Sequence, residues 1–237
     1  MWTKEARGRL RLPPKEKIKG PSRATTRDSI PHEGTMDLKS TYNKIAEDWY
    51  ADHRTDDWWR EGTDAFVSLL KQGNTVLDVG CGGGVKTKYL AAKGLSVTGV
   101  DFSEKMIEIA KREAPEGRFY IEDIYKLNDL NEKFDGVFAQ AVLLHVPKKK
   151  IALAMKNLIG RLRLGGYLYV AVKQIGKNGK EEQISIEKDY GYEYERFFSY
   201  FTITELKRYF KNAGLEVCYE NITTYRTVTW IQIIGKL

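Results

Sequence analysis

From Met36 onward the apolar positions recur regularly, and their period alternates between helix and strand. The stretch YNKIAEDWYADH sets Tyr42, Ile45, Ala46, Trp49 and Tyr50 on one side, which predicts a helix. TDAFVSLLKQG predicts a second, with Phe66, Leu69 and Leu70 inward and Gly73 as its stop. TVLDV is a short apolar strand, and VKTKYLAAKG a helix ending at Gly94. LSVTGVD is the next strand. Ser103 then caps a helix that turns Met106, Ile107, Ala110 and Ala114 inward. RFYIED and FDGVFAQ read as strands three and four, and GGYLYVAVK as a fifth. Between the last two lies a helix with Ile151, Met155, Leu158 and Leu162 on one face.

Strands that alternate with helices and read as continuous apolar runs predict an α/β fold with a parallel sheet covered on both faces. The C-terminal part departs from this rhythm. TITELKRYFKNAG opens on a capping box, Thr202 and Glu205, and closes at Gly214. LEVCYE and RTVTWIQIIGKL follow as strands with only a short connection between them. A parallel crossover needs a dozen or more residues, so the last strand is expected to run antiparallel.

Charge changes the picture only at the N-terminus. The chain of 237 residues carries a net charge of +7, yet residues 1–35 alone hold nine Lys/Arg and four Asp/Glu. The rest is nearly neutral. Residues 1–35 also hold four of the six prolines and show no apolar periodicity. They are expected to form a basic, loosely packed tail ahead of one domain over 36–237, with Met36 a candidate start. Such a tail can bind phosphate backbones, which keeps an RNA partner as an alternative. Two cysteines without a spacing pattern, Cys81 and Cys218, fit a reduced compartment. No apolar run reaches the ~20 residues of a membrane helix, and no secretory leader is visible, so a cytoplasmic protein is expected.

The chemistry gathers at VLDVGCGGG, residues 76–84, where a strand runs into a glycine-rich turn ahead of a helix. This arrangement offers backbone N–H groups and a helix N-terminus to a ligand. A P-loop is excluded because no Gly-Lys-Ser/Thr follows. A dinucleotide fingerprint fails at Val85, where its third glycine belongs. The pattern is instead Asp78, Gly80, Gly82 and Gly84 as D-x-G-x-G-x-G.

That pattern resembles motif I of the class I S-adenosylmethionine-dependent methyltransferases, especially the small-molecule subgroup of ubiquinone and menaquinone methylases. GVDFS, YIEDIYKL, FDGVFAQAVLLHVP and LRLGGYLYVAVK resemble the family's later segments in the same order. The resemblance implies a Rossmann-like, seven-stranded, mostly parallel sheet with helices on both faces and an antiparallel last strand. It implies S-adenosylmethionine as methyl donor and a small-molecule acceptor.

It also assigns residues. Gly80, Cys81, Gly82 and Gly84 form the turn against the methionine and ribose portions, with Asp78 near the ammonium end. Asp101 would accept from both ribose hydroxyls. Asp123 would accept from the adenine amino group, Ile124 would donate its N–H, and Phe102 would lie on the ring. Ala139 and Gln140 would flank the methyl group, and Tyr42 or Tyr50 would cap the pocket. Cys81 reads as a small residue, not a nucleophile.

A base is needed only if the acceptor must lose a proton. Of His32, His53 and His145, the last follows strand four at the active-site end and is the candidate base, with a structural role holding the loop before Pro147 as the alternative. No metal-ligand spacing is present, so no metal is expected. Two segments suit the acceptor. One is DHRTDDWWREG with Trp58 and Trp59. The other is an insert over 174–200, charged at first and aromatic later, whose Arg196 would meet an anionic group. A non-catalytic partner protein that keeps the fold is the remaining alternative, and the intact acid and glycine set speaks against it.

Overall fold

The computed structural model describes residues 25–27, 37–127 and 130–237. Apart from Thr25–Arg27, the expected tail, including His32 and Met36, lies outside the described residues. The elements in chain order are β1 (Thr25–Arg27), α1 (Leu38–His53), α2 (Arg60–Ser68), β2 (Thr75–Val79) and α3 (Val85–Ala92). Then come β3 (Ser96–Asp101), α4 (Glu104–Glu113), β4 (Arg118–Ile121), β5 (Phe134–Gln140) and α5 (Ile151–Gly160). The chain finishes with β6 (Leu162–Lys173), β7 (Glu182–Glu187), β8 (Tyr194–Ser199), α6 (Ile203–Asn212), β9 (Glu216–Tyr225) and β10 (Val228–Lys236).

Seven strands form one sheet in the order β4-β3-β2-β5-β6-β10-β9. The first five pair in parallel. β10 runs antiparallel to β6 on one side and to β9 on the other, as the short connection required. The order reverses at β2, where β3 lies to one side and β5 to the other. Right-handed crossovers in opposite directions place α3 and α5 on opposite faces. On one face α5 and α6 bury Ile151, Met155, Leu158, Leu206 and Phe210 against Val137, Val170 and Ile233. On the other, Phe66 of α2 and Leu90 of α3 pack on Val76, Phe138 and Tyr169. The Phe138 and Tyr169 rings stack at 4.3 Å.

Three local readings need correction. Leu69, expected inward, lies just past the end of α2 and is 36% exposed. Leu162 does not close the helix face but opens β6, because α5 ends at Gly160 and Leu162 pairs with Phe134. The capping box at Thr202 is half made: the Glu205 N–H donates to the Thr202 hydroxyl at 3.1 Å. The Glu205 carboxylate instead pairs with Lys148 at 2.7 Å, drawn away by a stronger partner.

The insert over 174–200 carries two strands. β7 and β8 form an antiparallel hairpin that β1 extends to a second, three-stranded sheet. Its base is pinned to the large sheet, with Phe201 N–H donating to the Lys173 carbonyl at 3.0 Å and Ile175 N–H to the Phe201 carbonyl at 2.9 Å. Its tip is clasped to α1. The Tyr192 hydroxyl donates to Asp48 at 2.7 Å, and Lys44 donates to the Glu193 carbonyl at 3.0 Å. The hairpin and α1 thereby roof the C-terminal ends of the parallel strands, where open α/β sheets bind ligands.

Candidate active site

The turn after β2 brings the sheet's switch point to a ligand. Gly80, Gly82 and Gly84 have φ of 65°, 53° and 82°, a region that side chains rarely adopt. Gly82 shows the reason: in this conformation its N–H donates to Asp101 Oδ2 at 3.0 Å. The Ser103 N–H donates to Asp101 Oδ1 at 2.9 Å. Each carboxylate oxygen therefore keeps a lone-pair direction for a ligand donor. Burial outweighs these bonds and pushes the Asp101 carboxyl up to about 6. Asp78 is also buried, accepts from Thr87 Oγ1 at 2.7 Å, and is pushed up by burial to about 7.

A cavity of about 1290 Å³ opens over this turn. It exceeds the roughly 300–1,000 Å³ usual for one ligand, so it has room for a donor and an acceptor together. Asp78, Gly80, Cys81, Gly82, Asp101, Phe102, Asp123 and Ile124 line its donor half. Asp123 stands in the loop after β4, where it accepts from the Tyr125 N–H at 2.9 Å. Gln140, at the end of β5, also lines the cavity, and its Oε1 is buried without a hydrogen-bond partner. A buried acceptor left open in this way asks for a ligand donor. Among the described residues, no group of three or more His, Cys, Asp or Glu could hold a metal ion.

Three predicted residues do not reach the cavity. Gly84 is turned toward α4, where an added Cβ would stand 3.1 Å from the Ala110 Cα. Its role is close helix packing. Ala139 is fully buried and points to the α5 side of the sheet, since alternate residues of a strand face opposite ways. Trp59 is 2% exposed, and its Nε1 donates to the Asp56 carbonyl at 2.7 Å. Its ring meets the edge of Tyr89 instead of the cavity. Trp58 does line the cavity, stacked at 3.9 Å on Trp230. Cys81 is buried, its thiol pushed well above the usual range by desolvation and by Asp78, so it is no nucleophile.

His145 and Arg196 sit in one chain of contacts that roofs the acceptor half. The Phe197 carbonyl accepts at 2.7 Å from His145 Nδ1, so Nδ1 carries the ring proton and Nε2 offers a lone pair. The Tyr42 hydroxyl donates to that Nε2 at 2.7 Å. Arg196 Nη1 lies 3.5 Å from the same hydroxyl, and its fork grips Glu187 at 2.5 and 2.8 Å. Burial and the Arg196 charge push His145 down to about 3. This departs from the expected base in two ways: Nε2 is already engaged, and the imidazole is far too weak a base near neutrality. Arg196 likewise differs from the expected anion receptor, because Glu187 already neutralises it. Of the two tyrosines named for the cap, Tyr42 lines the cavity, with its ring edge-on to Phe102 at 5.9 Å, and Tyr50 does not.

Tyr42→Phe removes the donor and leaves His145 Nε2 buried and open. It is expected to destabilise the protein by about 1–3 kcal/mol. Urea unfolding reads this directly; unchanged stability would remove the relay from the account.

Among the lining residues that the sequence reading missed, Lys86, Lys173, Trp230 and Ala141 stand out. Lys86 of α3 is half-buried near Asp78, which favours its charge while desolvation pushes its pKa down. Lys173 ends β6, and Trp230 lies in β10 opposite it. Alternation along GGYLYVAVK could have found Lys173, which shares a face with Tyr169 and Ala171. Ala141 takes a φ of 56° just after β5, a strained conformation for a residue with a Cβ. Nothing in its sequence context signals this.

Residues 50–220 match the family model described as a methyltransferase domain. A ubiquinone biosynthesis O-methyltransferase of Coxiella burnetii is 37% identical over 116 residues, covering 47% of this chain and 48% of that protein. The chain thus spans about half the length of this relative. One from Marinobacter nauticus is 28% identical over 189 residues, covering 73% of this chain and 76% of that protein. Among solved structures, the 1,6-didemethyltoxoflavin-N1-methyltransferase of Burkholderia thailandensis superposes with a TM-score of 0.70 at 18% identity. That match covers 92% of this chain and 99% of the other, and shows the shared fold. The family match spans most of the chain and includes the glycine turn, Asp101 and the parallel sheet: the chain belongs to the class I methyltransferase family.

Proposed function

We propose that the protein transfers a methyl group from S-adenosylmethionine to a small-molecule acceptor held beneath the β7–β8 hairpin. The observation that carries this reading is one cavity with two chemically different halves, joined at Gln140. The donor half fits the cofactor's parts. Asp101 has lone pairs left for a ribose diol, and the loop at Asp123 and Ile124 offers a carboxylate and a backbone N–H to adenine. Asp78 and Lys86 bring one charge of each sign to the zwitterionic methionine end. Phe102 presents a ring to the base, and Gln140 Oε1 is open to a donor beside the methyl group.

When bound there, the cofactor supplies an electrophilic methyl group. The chain's own residues align the acceptor and keep water out, which can supply much of the acceleration for an in-line displacement. Two relatives are named as ubiquinone O-methyltransferases, which supports a small-molecule acceptor over RNA. The test is incubation with methyl-labelled cofactor and a fractionated small-molecule extract. Label is expected in an organic product, with S-adenosylhomocysteine released in step. Label appearing only in RNA or protein would overturn the reading.

A further inference from the structure

We infer that the acceptor half is a subsite for a planar molecule bearing an oxyanion, with the Lys173 ammonium as its counter-charge and Trp58 and Trp230 as its flat wall. This rests on the methyl-transfer reading for the role of the subsite, but not for its existence. Lys173 is the last residue of β6 and lines the cavity. Its Nζ stands 3.9 Å from the centroid of Phe198 and 6.0 Å from that of Trp230. Among the described residues it forms no ion pair with a carboxylate. The acid whose charge favours it, Glu187, is already gripped by the Arg196 fork at 2.5 and 2.8 Å. Of the charges that act on Lys173, Arg196 opposes its ammonium and Glu187 favours it.

An ammonium partly buried between Phe198, Trp230 and the Arg196 charge has lost part of its water and gained no paired anion. Burial and the Arg196 charge hold it down to about 7 as a result. Ring faces attract a cation but replace only part of its hydration. A ligand oxyanion in the cavity would complete the charge balance that the protein leaves open. Planarity follows from the walls. The Trp58 and Trp230 rings stack at 3.9 Å and 16°, and Phe198 closes another side. Flat apolar surfaces of this kind favour a flat apolar ligand. Carboxylates and acidic phenols share the required oxyanion.

Three probes separate these sources: benzoate, 4-nitrophenol and neutral benzamide. Binding is read by ligand-detected NMR, and the ionised form of 4-nitrophenol by its absorbance. S-adenosylhomocysteine is titrated separately against the same proteins. Benzoate, 4-nitrophenolate or both are expected to bind the wild type, and benzamide far more weakly. Lys173→Met should weaken the bound anion by about tenfold or more, while Lys173→Arg retains most of the affinity. Lys173→Met should also leave S-adenosylhomocysteine binding unchanged and thermal stability at or above wild type, since it removes an unpaired, half-buried charge. Anion binding that Lys173→Met does not weaken, or the absence of any anion binding to the wild type, would overturn the subsite. Failure of S-adenosylhomocysteine to bind the wild type would instead overturn the methyl-transfer reading, and the anion result would still judge Lys173.

Discussion

Glu187→Gln is expected to destabilise the protein by about 3–5 kcal/mol, the usual cost of stripping one partner from a buried ion pair. Glu187 and Arg196 are each only 13% exposed, and Glu187 is the one acid gripping the Arg196 fork. Without it, a guanidinium remains in a cavity wall beside Lys173, its charge no longer balanced. For a chain of this size roughly 2–4 °C of melting temperature go with each kcal/mol, so a fall of the order of 10 °C should be seen. The damage should not stop at stability. Lys173 is held down by Arg196 and supported by Glu187, so its pKa should fall further and the ammonium become scarcer at neutral pH. A paired variant, Glu187→Leu with Arg196→Met, should recover most of the stability, because burying two apolar groups avoids both desolvation penalties. If the single variant melts like the wild type, the roof does not depend on this pair.

Asp101→Ala is expected to weaken S-adenosylhomocysteine by about 1–3 kcal/mol, which is roughly 5- to 150-fold. Two effects combine. The ribose diol loses its acceptor, and the N–H groups of Gly82 and Ser103 lose theirs, so the turn loses its fixed geometry. The pH dependence gives a second signature. Asp101 and Asp78 are raised to about 6 and about 7, above their unfolded values. The folded, ligand-free protein therefore binds more protons than the unfolded chain between about pH 4 and 7. Its stability from these two groups is present at the acid end and lost as pH rises through the folded values. Ligand binding works in the opposite sense, because both sites need the ionised carboxylate. Affinity should rise as pH climbs through about 6 to 7, and Asp101→Ala should flatten the lower part of that rise. Calorimetric titration across this range checks it; an affinity indifferent to Asp101 at every pH would refute the assignment.

Much of the parallel core was legible because its strands are apolar runs with glycine or polar punctuation. β5 coincides with FDGVFAQ to the residue, since Lys133 precedes it and the positive φ of Ala141 ends it. β10 ran antiparallel for a reason visible in chain length alone. The hairpin of β7 and β8 was not legible. Its lead-in GKNGKEEQ is charged, and its strands bury residues on both faces, Ile184 and Phe197 on one and Phe198 on the other, so no simple apolar alternation marks them. Of the two adjacent tryptophans, sequence could name the pair but not the one facing the cavity. Trp59 caps α2 and turns inward to Asp56, while Trp58 finds Trp230, a residue 172 positions away. His145 and Arg196 were found as polar groups at the right end of the sheet. Their roles could not be read, because each depends on partners from other elements: Tyr42 of α1, Phe197 of β8 and Glu187 of β7. Lys173 was hidden as an ordinary strand end, and only the packing of β8 and β10 around it shows that it lacks an anion.

The central claim is that one cavity seats the methyl donor on the glycine turn and the acceptor under the hairpin. A crystal structure with S-adenosylhomocysteine tests it most directly. The predicted result places the ribose hydroxyls within hydrogen-bond distance of Asp101, adenine at Asp123 and Ile124, and the sulfur beside Gln140, facing the space below Lys173. S-adenosylhomocysteine seated away from Asp101, or a cavity still empty at saturating ligand, would contradict it.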